Sequence, residues 1–236
     1  MIYSVDKLKN ALFFDIETLP KYKDQEDLTN NGKHSEIEKV NRMRDKKPLD
    51  QTEEDFFGGL SLIPELNKVI NITFGRIMFD EQDNFVDFKI KSFSNLEDEL
   101  ELLNKVFDWF EKKPTKKDDD ILAGYNILAF DISVLQKKYI QLGKLPKYLN
   151  TFFKKPWEVT CMDIMLDWKG SGAYFVSLGL LCDFLGVDNP KENEITGATI
   201  YKDFLDDRLT NLNVAKYAEM DVMSTMKLAL KLWNKN

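Results

Sequence analysis

Residues 11–19 read Ala-Leu-Phe-Phe-Asp-Ile-Glu-Thr-Leu. Four side chains apolar enough for the centre of a sheet run into two carboxylates separated by one isoleucine. Along a strand, residues i and i+2 point to the same face, so Asp15 and Glu17 project side by side from the end of a buried segment. Two like charges brought out of water together are costly unless something compensates them. Any fold this chain adopts must bring that compensation to the end of its first strand.

The rest of the pattern says what surrounds the strand. "NKVINITFGRIMF" (67–79) and "FVDFKIKSF" (85–93) alternate and are joined by "DEQDN", a β-hairpin. "SNLEDELELLNKVFDWFEKK" carries a capping-box pattern at Ser94 and Glu97, then a helical stripe of Leu96, Leu100, Leu103, Phe107 and Phe110. "ILAGYNI" predicts a short buried strand, "FDISVLQKKYIQLG" a helix closed by Gly143, and "VTCMDIM" a further strand. "VSLGLLCDFLGV", "ATIYKDFLDD" and "LNVAKYAEMDVMSTMKLALKLW" predict three more helices. Strands first, then strands interleaved with helices, point to one α/β domain over residues 1–236 with a mixed sheet. With 236 residues and 43% hydrophobic content, the chain can bury one large core or two small ones.

Residues 20–56 break the pattern. They carry eight basic and ten acidic residues and few large apolar groups. Ser35 and Glu38 suggest a capping box, and Ile37, Val40 and Met43 recur every third position. The expectation is a marginal, mostly exposed helix on a flexible excursion: a lid, a strand guide, a tethered surface arm, or a docking segment for a partner.

Two further acids sit in unusual settings. Asp131 falls where a strand ends and a helix begins, and Asp221 lies on an amphipathic helix four residues after Tyr217, on the same face. Taken singly, Asp131 reads equally as a helix cap, Asp221 as a solvated helix residue and Tyr217 as a core aromatic. Together, three elements can project four carboxylates toward one point. Hard divalent cations such as Mg²⁺ take carboxylates plus water and phosphate. Two such ions about 4 Å apart can clamp a scissile phosphate. A metal between the paired acids supplies the compensation they need.

Other signals are weaker. The net charge of −7 argues against a binder that works by bulk attraction to polyanions, although a formal count omits any metal. Cys161 and Cys182 have no CxxC spacing and read as reduced and structural. The chain shows no signal-peptide pattern and no apolar run long enough to cross a bilayer, which predicts a soluble, cytoplasmic protein without membrane partners. Gly170 and Gly172 lack the spacing of a phosphate-cradling loop. Phe152, Phe153, Lys154, Lys155 and Trp157 interleave aromatic and basic groups as a single-strand track would.

"FDIET", "YNILAFD" and "YAEMD" resemble the three exonuclease motifs of the DEDD superfamily in its tyrosine-bearing branch. The likeness extends to the proofreading domain of B-family DNA polymerases and to its stand-alone relatives, which "LSLIPELNKVINITFG" also resembles, and it spans residues 11 to 232. The sister branch uses a histidine five residues before the last acid. Here that position is Lys216, and the single histidine, His34, lies in the polar excursion. The resemblance implies a ribonuclease H-like fold and a 3′–5′ exonuclease working with two divalent ions, Mg²⁺ or Mn²⁺. By implication Asp15, Glu17 and Asp221 hold the catalytic metal, Asp131 helps hold the second, and Tyr217 orients the attacking water. Thr18, Leu19, Asn126 and Phe130 then lie near the terminal nucleotides. The implied partner is nucleic acid with a free 3′ end, DNA favoured, with action alone or beside a separate polymerase or repair protein. An RNA-directed exonuclease of the ribonuclease D type shares the same acids. A catalytically silent binding module on the same fold is the third reading.

Overall fold

The computed structural model describes residues 3–112, 121–146, 149, 161–172, 174–189 and 199–233. Its centre is a mixed sheet of β1 (Ala11–Pro20), β2 (Asn67–Phe79), β3 (Phe85–Ser94), β4 (Ile121–Gly124) and β5 (Cys161–Asp163). The order is β3-β2-β1-β4-β5. β1 pairs antiparallel with β2 and parallel with β4, so the strand carrying Asp15 and Glu17 lies at the middle of the sheet. The β2–β3 hairpin forms as its alternation predicts, its turn held by Asp80, whose Oδ1 accepts from the amides of Gln82 (2.9 Å) and Asn84 (2.8 Å).

Pleat parity sorts β1 between two cores. Leu12, Phe14 and Ile16 pack with α5 (Glu99–Lys112) and α6 (Asp131–Gln141), through residues such as Leu102, Val106 and Leu135. Phe13 faces the other way, with α8 (Leu178–Leu185) and α10 (Asn211–Leu232), among Cys182, Val222 and Met226. Asp15 and Glu17 share the parity of Phe13, which places them on the α10 face.

Three local expectations are corrected. Ser94 does not cap α5; it stays in β3, where its hydroxyl accepts from Asn71 Nδ2 at 2.7 Å. The first turn is held instead by Asp98, which accepts from the Glu101 amide at 2.9 Å, and Leu100 faces solvent. The strand expected over "VTCMDIM" stops at Asp163, where the backbone turns into α7 (Ile164–Lys169). α1 (Val5–Asn10), capped by Ser4, precedes β1 and is an element the periodicity does not reveal.

The third correction is the excursion. Residues 20–56 contain α2 (Gln25–Asn31) and α3 (His34–Arg44) and run into α4 (Glu53–Gly59), which continues as a 3-10 turn over Leu60–Leu62. α3 starts before Ser35: Glu36 accepts from the Lys33 amide at 3.0 Å, closing the turn that Ser35 and Glu38 were expected to close. The Ile37/Val40/Met43 stripe faces inward. Leu28, Val40, Phe56, Phe57 and Leu60 are buried together with Leu19, Val214 and Tyr217, a core that ties the segment to the end of β1 and the start of α10. Glu36 reinforces it, accepting from the Tyr22 hydroxyl at 2.7 Å and pairing with Lys21 at 3.0 Å. Leu28→Ala is expected to lower the unfolding free energy by about 2–4 kcal/mol, as deletion of buried methyl groups does. Urea denaturation checks it; a midpoint equal to wild type fits a loose arm instead.

Candidate active site

The acids meet because α10 lies close on the sheet. At Gly75, paired with Phe13, an added Cβ would lie 2.6 Å from Val222 Cγ1 and 2.8 Å from Met226 Sδ. Only a residue without a side chain lets the helix approach there. Asp221, one residue before Val222, is thereby lowered toward Asp15. Asp15, Glu17 and Asp221 each offer a carboxylate oxygen within 4.8 Å of the others, and all three keep partial access to solvent.

Asp131 reaches the same corner from another side. It opens α6 with 3% of its surface exposed, and its Oδ1 accepts from the Ile16 amide at 3.0 Å, between the two β1 acids. It stands outside the 4.8 Å trio yet close enough to act on it. Burial pushes Asp15 well above the ordinary carboxylate range, and Glu17, Asp131 and Asp221 all push the same way. Glu17 is raised too, by burial and then by Asp221 and Asp131. Asp131 is pushed up to about 8, mainly by burial. Hard oxygen donors that repel one another in a half-buried corner fit a divalent cation, whose charge reverses each of these effects.

Tyr217 is buried one turn before Asp221 on α10, within reach of the charges of Glu17, Asp221 and Asp15. Burial and the surrounding acids raise its pKa further above the usual tyrosine range. The hydroxyl therefore keeps its proton at neutral pH and cannot act as a base.

The remaining expected residues divide. Thr18 donates to the Ser61 carbonyl at 2.9 Å and lines a cleft of about 300 Å³ with Gly59, Leu62 and Tyr201. The Leu19 side chain is fully buried among Val40 and Phe57. Asn126 adopts the left-handed conformation, φ +60°, in the turn from β4 to α6. That turn is tight: a Cβ on Gly124 would lie 2.2 Å from Ile127 Cγ2 and 2.7 Å from the Phe14 carbonyl. Phe130 ends the turn, partly exposed, against the α6 core. His34 is 90% exposed and sits 3.5 Å from Glu38 on its own helix. Both cysteines are unpaired. The aromatic–basic track at 152–157 lies outside the described residues.

Sequence reasoning missed three residues that build this corner: Gly75, Gly124 and Asp163. A glycine inside an apolar strand signals close approach and marks the first two; nothing short of the fold marks the third.

A family model described as the RNase_H superfamily matches residues 59–233. Among solved structures, E. coli exonuclease I in complex with a dT13 oligonucleotide aligns with 94% of this chain and 40% of its own, at 12% identity and a TM-score of 0.46. The same enzyme with a 5cy-dT13 oligonucleotide aligns with 94% and 39%, at 12% identity and a TM-score of 0.45. This chain thus spans about 40% of the length of the first of these structures. No curated protein sequence matches it.

Proposed function

The chain belongs to the ribonuclease H superfamily, and from that premise we propose that it is a divalent-metal-dependent exonuclease removing nucleotides from the 3′ ends of single-stranded or frayed DNA. The observation that carries the proposal is the convergence of Asp15, Glu17 and Asp221 within 4.8 Å, with Tyr217 buried one turn before Asp221 on α10. In this reading Asp15, Glu17 and Asp221 would hold one ion, with Asp15 shared, and Asp131 would help hold a second. Bound ions would supply an acidified water and stabilise the leaving oxygen.

The chain's own residues do the positioning. The Tyr217 hydroxyl, one helical turn from Asp221, orients the water that attacks the terminal phosphorus. As the P–O3′ bond breaks, the departing 3′ oxygen gains a proton and a nucleoside 5′-monophosphate is released. Thr18, at the mouth of its cleft, and Asn126 and Phe130, on the β4–α6 turn, flank the terminal nucleotides. The three acids support metal-dependent phosphodiester hydrolysis, and the resemblance to DEDD exonucleases supports the 3′–5′ polarity and the preference for DNA.

Matched DNA and RNA oligonucleotides, labelled at either end and digested with Mg²⁺, Mn²⁺ or chelator, test the proposal. Stepwise shortening from the 3′ end of DNA, absent with chelator, is the expected result. Internal cleavage, 5′ polarity or equal activity with chelator overturns it, and faster RNA digestion reassigns the substrate. Tyr217→Phe is expected to lower kcat about tenfold to a hundredfold, the cost of a misplaced nucleophile, while Mn²⁺ affinity measured by calorimetry stays near wild type. Loss of metal binding in that variant contradicts the water-orienting role.

A further inference from the structure

Asp163 ends β5, is 3% exposed, and accepts three backbone hydrogen bonds. One comes from Leu166, at 3.2 Å to Oδ1, and caps α7. A cap needs only that one. The other two cross to the β4–α6 turn: the Asn126 amide donates to Oδ1 at 3.0 Å and the Leu128 amide to Oδ2 at 3.1 Å. Both carboxylate oxygens are thus engaged, and the turn they grip is the one whose left-handed residue is Asn126. A left-handed conformation costs a non-glycine residue free energy and persists only where its surroundings hold it.

We propose that Asp163 is a positioning residue: it grips the left-handed turn at Asn126 through two amides and so sets where Asn126 and Phe130 meet the substrate strand. This rests on the exonuclease reading above. Asp163 stands outside the acidic trio, and its effect reaches the substrate through the turn. A further long-range bond holds the turn: the Tyr125 hydroxyl donates to the Val176 carbonyl at 2.6 Å, in the segment leading into α8. The β4–α6 connection is short and carries Asn126 and Phe130 ahead of α6, so a shift at its start moves both, while Asp131 is held by α6 and by the Ile16 amide.

The chemistry of the grip makes the isosteric change informative. In Asp163→Asn one oxygen can still serve Leu166 and Asn126, but the amide nitrogen then faces the Leu128 N–H, donor against donor. Asp163→Ser keeps only the α7 cap. Both variants are compared with wild type in the full chain, by amide hydrogen exchange, by Mn²⁺ calorimetry and by steady-state digestion of a single-stranded DNA oligonucleotide. The Leu128 amide is expected to exchange about tenfold faster or more in both variants, while the Leu166 amide stays protected and Mn²⁺ affinity stays within about twofold of wild type. KM for the oligonucleotide rises about tenfold, with kcat within about threefold. A merely structural role predicts instead that Leu128 and Leu166 lose protection together and that activity falls only as the melting temperature falls; that result overturns the proposal. So does unchanged exchange at Leu128. If wild type digests no oligonucleotide, the exonuclease reading fails, and the exchange data still decide whether Asp163 holds the turn.

Discussion

Asp15→Asn is expected to abolish hydrolysis and, in chelator, to raise the melting temperature. The two effects have one cause. Asp15 is the carboxylate on which burial, Glu17, Asp131 and Asp221 all act in the same unfavourable direction. Removing its charge relieves that repulsion at little cost in volume, since the amide is nearly isosteric. It also removes the ligand proposed to be shared between two ions, so transition-state stabilisation by the metal is lost. Activity should fall by about a thousandfold or more, the scale seen when an electrostatic stabiliser of a transition state is deleted. The metal-free protein should melt a few degrees higher, about 2–4 °C per kcal/mol of relieved repulsion for a chain of this size. Thermal melts with and without Mn²⁺, alongside a digestion assay, read both. An active variant removes Asp15 from the chemistry. An inactive variant that melts lower than wild type in chelator means the carboxylate is structural, and the account of a corner awaiting a cation fails.

Such a trade is legible in the sequence because the local rules conflict there. "LFFDIE" is apolar where a strand is buried and charged where it should still be buried, and no turn chemistry excuses the charges. The hairpin over 67–94 and the helices over 131–141 and 211–232 were equally plain, since their periods are unbroken. The excursion failed for a physical reason. Its apolar residues are sparse: α3 forms with the Ile37/Val40/Met43 stripe that the sequence shows, but α2 and α4 are too short to show one. The three helices bury Leu28, Val40 and Phe57 only by combining with Leu19 from β1 and Val214 from α10. A tertiary core assembled from single contributions of distant segments leaves no period to read. The helix starts failed for a related reason. Ser94 satisfied the capping pattern, but pairing with Asn71 across the sheet held it in β3, and Asp98 took the role. Asp163 shows the limit most clearly. In sequence it is one acid in "CMDIM"; its meaning lies in two amides more than thirty residues away that only the fold brings to it.

Stability of the metal-free protein is expected to fall as pH rises from about 5 to 8, and divalent ions to cancel that fall. The sign follows from the direction of the shifts. Asp15, Glu17 and Asp131 bind protons more tightly folded than unfolded, Asp131 up to about 8, against ordinary carboxylate values near 4. Between the unfolded and folded pKa the native state holds the extra proton. Each such group therefore subtracts up to about 1.4 kcal/mol from the unfolding free energy per pH unit, and the contribution present at low pH is gone once the folded pKa is passed. Most isolated salt-bridged carboxylates behave the opposite way, with depressed values and stability lost on acidification, so the slope is diagnostic. A divalent ion replaces those protons: its binding strengthens as pH rises and releases protons as it does so. Melting temperatures in chelator should thus decline toward pH 8 while those in excess Mn²⁺ stay level or rise, and the gap between the curves should widen with pH. Asp15→Asn should lessen the slope of the chelator curve and narrow the gap together, because Asp15 contributes to both. A chelator curve that climbs from pH 5 to 8 would mean that these acids are already compensated by the protein itself, leaving no electrostatic reason for a metal to bind.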